Sequence, residues 1–180
     1  MAGLSPKVAE QLFPTWTKFN GKTTVLSPAR YQKFESNKLK TMILSILLSI
    51  ILIGLGLIHF NWVVGGKFGF AESLPTKESG ERVLNPKKID SAIVGIGLTA
   101  FGIFYVLKSG LFENNLPEWI MKYGSWIIPT IFLLRAIGEF KYVGFFKSIK
   151  KTDFGKLDTK FFSPLCLIIG IFGMIIQLMK

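Results

Sequence analysis

TMILSILLSIILIGLGLI, residues 41–58, carries no charge and is dominated by Leu and Ile. With the next few residues it reaches the roughly 20 that a helix needs to cross a bilayer. Ser27-Pro28 reads as a helix start, and no breaker follows until Gly54, so one helix is predicted to run from Pro28 into the span. Ser45, Ser49, Leu52, Gly56 and His59 recur at alternating spacings of four and three. They share one stripe, of the small-residue kind that faces other helices rather than lipid. His59 then points into the bundle, about 27 Å beyond Thr41 and near the far membrane surface.

Three more apolar blocks follow, separated by polar stretches. The spans are predicted at about 41–62, 91–108, 118–140 and 161–179. The fold class is therefore all-α: a polytopic membrane protein with four transmembrane helices in an antiparallel bundle, residues 41–180, and an N-terminal extension, residues 1–40. In that extension Ser5-Pro6 suits a short helix Pro6–Leu12, followed by a loop through Pro14, Asn20 and Gly21; a flexible tail fits equally well. Its last residues form a basic lead-in to the first span. Asp90 or Ser91 is placed as cap of the second helix, and Ser91, Gly95 and Thr99 form a small-residue face. The third helix starts at Pro117, carries Trp119 and Tyr123 as interface anchors, and contains Pro129. Lys147–Lys160 reads as a basic loop, after which Ser163-Pro164 opens the fourth helix, with Cys166, Gly170, Gly173 and Gln177 on one stripe.

Composition agrees with a membrane protein. The chain is 49% hydrophobic over 180 residues, with a mean hydropathy of +0.43. Its net charge of +11 comes from Lys and Arg clustered outside the apolar blocks. There they meet lipid headgroups, which argues against a nucleic-acid partner. No cleavable secretory signal is expected, because the first apolar run starts late and is too long for a signal core. A single cysteine excludes an intramolecular disulfide and a paired-thiol zinc site, and a single histidine excludes a multi-His metal site within one chain. No metal or cofactor is expected.

Four spans place the ends of helices one and three, and the starts of two and four, on one membrane face. His59, Asn61, Trp62, Arg135, Glu139, Lys141, Tyr142, Asp158 and Ser163 gather there as candidate ligand-binding residues. Arg135 and Glu139 lie one helical turn apart at the end of an apolar run, where charge is costly unless paired or used. Two readings stand. The pair is an intrahelical i,i+4 ion pair, or Arg135 grips a phosphate or carboxylate while Glu139 orients it or takes up protons. The depth of Arg135 depends on whether the helix stops near Phe140 or continues to Phe146; Gly144 suggests an end in between and partial burial. His59 is suited to exchange a proton with Glu139, or to donate to a carbonyl at the interface. Cys166 reads as a small buried hydrophobe. Lys and Arg divide almost evenly between the faces, and the charges nearest the spans give the motif face a narrow margin as cytoplasmic.

His59-Phe-Asn-Trp62-Val-Val-Gly65-Gly66, then Arg135-Ala-Ile-Gly-Glu139-Phe-Lys-Tyr142-Val-Gly144-Phe-Phe146, then Asp158 and Ser163-Pro-Leu-Cys166 resemble the signature of a family of small bacterial four-helix integral membrane proteins of unassigned function. The resemblance covers about residues 41–180. It implies four spans and a bacterial plasma membrane, expects Asp as well as Glu at position 139, and supplies no activity.

Three function classes remain open. The first binds or moves a lipid or small amphiphile, as a homo-oligomer since four spans are few for a transporter. The second is an accessory subunit of a larger membrane complex, with residues 1–40 docking a partner membrane protein. The third, an intramembrane enzyme on a lipid or quinone-like substrate with His59 or Glu139 as acid or base, ranks lower for want of a nucleophile with a partner or a cofactor motif.

Overall fold

The structure, a computed structural model, describes residues 16–19, 22–25, 28–112 and 116–179. It divides into two compact units, Met1–Lys40 and Thr41–Lys180. The first contains strands β1 (Trp16–Phe19) and β2 (Lys22–Val25), paired antiparallel with Phe19 opposite Lys22 and Trp16 opposite Val25. The sequence reading expected no strands here, and Asn20 and Gly21, placed in its loop, lie outside the described residues. The overlooked signal is the Asn-Gly dipeptide between two short β-prone runs, which favours a two-residue connection. The helix expected at Pro6–Leu12 lies outside the described residues.

The second unit is the membrane domain. Helix α1 (Pro28–Val63) runs unbroken from the Ser-Pro start, as the uninterrupted apolar run requires. Helix α2 (Lys88–Lys108) begins slightly before its predicted cap, because the Asp90 carboxylate accepts from the Lys87 backbone N–H at 2.8 Å. Helix α3 (Glu118–Ile137) is 20 residues long. The last helical run joins a short helix α4 (Asp153–Leu157), a π-helical turn Asp158–Phe162 and helix α5 (Ser163–Leu178). All four runs are long and apolar enough to cross a bilayer. Large aliphatic side chains cover their outside, as in Ile50, Leu57, Ile93 and Ile96, all more than half exposed. In water so large an apolar surface would aggregate, whereas in lipid it is solvated. The chain is a polytopic membrane protein.

Two further predicted boundaries move. Helix α3 ends at Ile137 rather than near residue 140, because Gly138 takes φ +85°, a left-handed value that terminates a helix. The fourth span begins at 153 rather than 161, because the Thr152 hydroxyl accepts from the Gly155 N–H and caps a helix inside the supposed basic loop. Ser163 opens α5 as expected, but it does so inside a continuous helical run and caps nothing. Its hydroxyl is free for another use.

Lipid offers no hydrophobic drive for helix association, so the bundle is held by close backbone approach and a small core. Ser45, Ser49, Leu52 and Gly56 are buried, as their shared stripe requires. A Cβ on Gly56 would lie 2.5 Å from the Thr99 hydroxyl and 3.1 Å from the Gly95 carbonyl, so α1 and α2 touch there almost backbone to backbone. Gly170 lies against Leu133, and Gly173 against Pro129 and the Tyr105 hydroxyl, which seats α5 on α3 and α2. Leu48, Leu52, Phe104, Ile128, Phe132 and Ile169 form the apolar centre. Partly buried Cys166 packs against it as a small hydrophobe.

Gly56→Leu should therefore force α1 off α2 and cost about 1–3 kcal/mol, the range for overpacked contacts. Gly54→Ala, with nothing within 4 Å of the new methyl, should leave stability unchanged or raise it by up to about 1 kcal/mol through helix propensity. Thermal unfolding of the two variants in one detergent distinguishes them.

Candidate functional site

Asp158 is the centre on which the motif face is built. Its carboxylate is fully buried and meets donors from three parts of the chain. Oδ1 accepts from Arg135 Nη2 at 3.1 Å, at the end of α3. Oδ2 accepts from the Gly144 backbone N–H at 2.8 Å, from Lys147 Nζ at 3.0 Å and from the Ser163 hydroxyl at 3.0 Å. Four donors on two oxygens suit an ionised carboxylate, which only accepts.

Local structure explains how these groups converge. Five residues along an α-helix is about 1.4 turns, which would carry Ser163 away from Asp158. The π-helical turn is wider, closing with the Ser163 N–H on the Asp158 carbonyl, and so brings the two side chains together. After α3, Gly138 and Gly144 both take positive φ and pack backbone to backbone. The Phe145 N–H then donates to the Ala136 carbonyl at 2.9 Å, folding the chain back so that the Gly144 N–H reaches Asp158.

Lys147 is the residue that sequence reasoning missed. It stands at the start of an apparently basic loop, yet its side chain is completely buried. All three ammonium donors are used: on Asp158, on the Gly144 carbonyl at 3.0 Å and on the Thr159 hydroxyl at 2.6 Å. Thr159 in turn donates to the Gly155 carbonyl at 3.0 Å.

The expected Arg135–Glu139 ion pair does not form. It requires helix through position 139, and the helix has ended at Ile137. Arg135 turns to Asp158 instead, while Glu139 accepts from the Tyr142 backbone N–H at 3.2 Å and stays exposed. Lys141 lies over the Tyr142 ring, 5.3 Å from its centroid. His59 Nδ1 is 2.9 Å from the Leu55 carbonyl, and its ring lies 4.5 Å from that of Trp62. No hydrogen bond among the described residues joins His59 to Glu139. Trp62 donates from Nε1 to the Phe68 carbonyl at 2.6 Å, and Asn61 lies against Gly66 in the same turn. Of the nine candidate residues, then, Arg135, Asp158 and Ser163 form one connected site, Glu139, Lys141 and Tyr142 lie beside it, and His59, Asn61 and Trp62 make a separate cluster at the end of α1.

Next to the hub is an open cleft of about 470 Å³. Arg135, Glu139 and Tyr142 line it together with Val83, Leu84 and Leu134. The guanidinium is not fully satisfied. Its Nη1 is buried with no acceptor among the described residues, and about a third of the side chain (36%) remains exposed. A buried donor without an acceptor is costly and uncommon. Among the described residues, no group of three or more His, Cys, Asp or Glu is placed to hold a metal ion.

A second polar knot lies on the opposite face. Lys108 donates to the Ser125 hydroxyl and, at 2.9 Å, to Gln177 Oε1, tying α2 to both α3 and α5. Gln177 belongs to the stripe expected to face the bundle, and Lys108 is the partner that makes its placement tolerable.

Fold and site together define a small four-span membrane protein with a buried Asp–Lys pair, joined by a partly exposed arginine, under one surface. Residues 52–173 match the family described as "Protein of unknown function (DUF3995)", and the chain belongs to that family. No curated protein and no solved structure matches it.

Proposed function

We propose that this protein binds, or moves, a lipid or small amphiphile whose anionic group docks on Arg135. One observation carries the reading: Arg135, fixed by a buried carboxylate and with its buried Nη1 lacking an acceptor among the described residues, lines an otherwise largely apolar cleft. Asp158 acts as the positioning residue. It holds one edge of the guanidinium and leaves the remainder for a phosphate or carboxylate, the anions that an arginine fork fits best. Leu134 and Leu84, each more than half exposed, supply apolar surface for the attached hydrocarbon. A volume of this order is within the range of small-molecule sites. The reading includes location in a bacterial plasma membrane and assembly with further copies or with a partner membrane protein.

Native mass spectrometry of gently extracted protein tests it and reports copy number and partners in the same spectrum. Wild type should retain phospholipid, and Arg135→Gln should retain at least tenfold less, the loss expected for a charge-assisted contact. Because Arg135→Gln also removes a partner of Asp158, Leu84→Glu serves as the second variant. It alters an exposed loop residue and places a negative charge in the cleft. Retention unchanged in both variants rules the cleft out as the binding site.

A further inference from the structure

The cleft is lined by charges of both signs, and they are kept apart. Arg135 faces it from the last turn of α3, and Glu139 from beyond the break at Gly138. On a continued helix, i,i+4 spacing would let them neutralise each other. The left-handed Gly138 prevents this, directing Arg135 to Asp158 and leaving Glu139, among the described residues, held by the Tyr142 backbone N–H. They are the only charged residues among the described residues that line this opening.

Such a site discriminates among phospholipids. A head group with negative charge alone meets Arg135 favourably but brings like charge towards Glu139, which disfavours it. A head group that joins a phosphodiester to an ammonium meets both: phosphate on the guanidinium, ammonium on the carboxylate. We infer, building on the lipid-site reading above, that the cleft selects a zwitterionic phospholipid of the phosphoethanolamine type over an anionic one. The ammonium is assigned to Glu139 alone, because the Tyr142 ring already carries Lys141. The ligand is a membrane lipid rather than a free head group, because the cleft lies at the end of a membrane span and exposed Leu84 and Leu134 flank the charges with apolar surface.

The experiment reconstitutes the full chain in nanodiscs of equal parts phosphatidylethanolamine and phosphatidylglycerol, extracts it gently and measures the lipid retained. Wild type should retain phosphatidylethanolamine over phosphatidylglycerol by about tenfold, the worth of one charge-assisted contact. Glu139→Gln changes an exposed side chain, so folding is not at stake; it should bring the ratio close to one without abolishing retention. Free phosphoethanolamine added in excess should not displace the lipid. Equal retention of both lipids by wild type, or a preference unchanged in Glu139→Gln, overturns this selectivity while leaving the lipid site intact. Displacement by free phosphoethanolamine overturns the assignment to a lipid. Loss of the site itself would show differently, as retention insensitive to Arg135→Gln and Leu84→Glu.

Discussion

Asp158→Asn is expected to be among the most damaging single substitutions in the membrane domain, at about 3–5 kcal/mol, the usual cost of removing one partner from a buried ion pair. The change is nearly isosteric, so packing is not the cause. Asparagine has one acceptor oxygen and an NH₂ group that only donates. If its oxygen faces Gly144, Lys147 and Ser163, the NH₂ confronts Arg135; if it is flipped, the NH₂ confronts three donors. Lys147, fully buried, loses its counter-charge either way. Arg135 suffers less, since its partly exposed chain can reach towards the surface. Lys147→Met should cost less than Asp158→Asn, because the carboxylate keeps Arg135, Gly144 and Ser163. The double variant Lys147→Met/Asp158→Asn should cost less than the sum of its parts, since one member of the pair no longer strands the other. Unfolding midpoints of the four proteins in one detergent, followed by tryptophan fluorescence, give the coupling. Strict additivity would mean that the two charges do not depend on each other.

Gly138→Ala should be comparably severe by a different route. Gly138 combines φ +85° with ψ −173°, a region that is nearly exclusive to glycine. A Cβ there would overlap the carbonyl of Val143 and press on the Gly144 Cα. These are backbone atoms, so no side-chain rotation can relieve the contact, and a loss of about 3 kcal/mol or more follows. The effect should extend beyond stability. Moving Gly144 withdraws its N–H from Asp158, and an intact helix through Glu139 would let Arg135 pair there instead. Phospholipid retention should fall with stability in Gly138→Ala, whereas Gly65→Ala, also at positive φ but with no atom within 4 Å of the new Cβ, should retain lipid normally.

The membrane architecture was legible because hydropathy and small-residue spacing are local properties. Thr41–Ile58 announces a span by its own composition, and the stripe from Ser45 to Gly56 predicts which face is buried without knowledge of its partner. The site was legible only in part. Arg135, Asp158 and Ser163 could be assigned to one membrane face by counting spans, but the ion-pair reading of Arg135, one of two left open, named Glu139 where the structure has Asp158. The decision rests on Gly138, whose left-handed conformation depends on Gly144 packing against it from six residues away. A helical pattern read through RAIGEF shows no sign of that contact. Lys147 was invisible for a related reason. A lysine in a basic, glycine-containing stretch looks solvated until the fold supplies a carboxylate, a carbonyl and a hydroxyl around it. The early start of the last helix rests on Thr152 as a cap, a signal that was present and was outweighed by the surrounding charges.

The Asp158 centre also imposes an order on biogenesis. A ribosome delivers Arg135 first, then Lys147, and Asp158 last, 23 residues after the arginine. At elongation speeds of about 5–20 residues per second, the nascent third helix waits roughly 1–5 s for the carboxylate that will hold its arginine. During that interval both charges resist passage into lipid. Arrival of the acid then closes the connection, and a temporary cost of insertion becomes a permanent part of the folded protein.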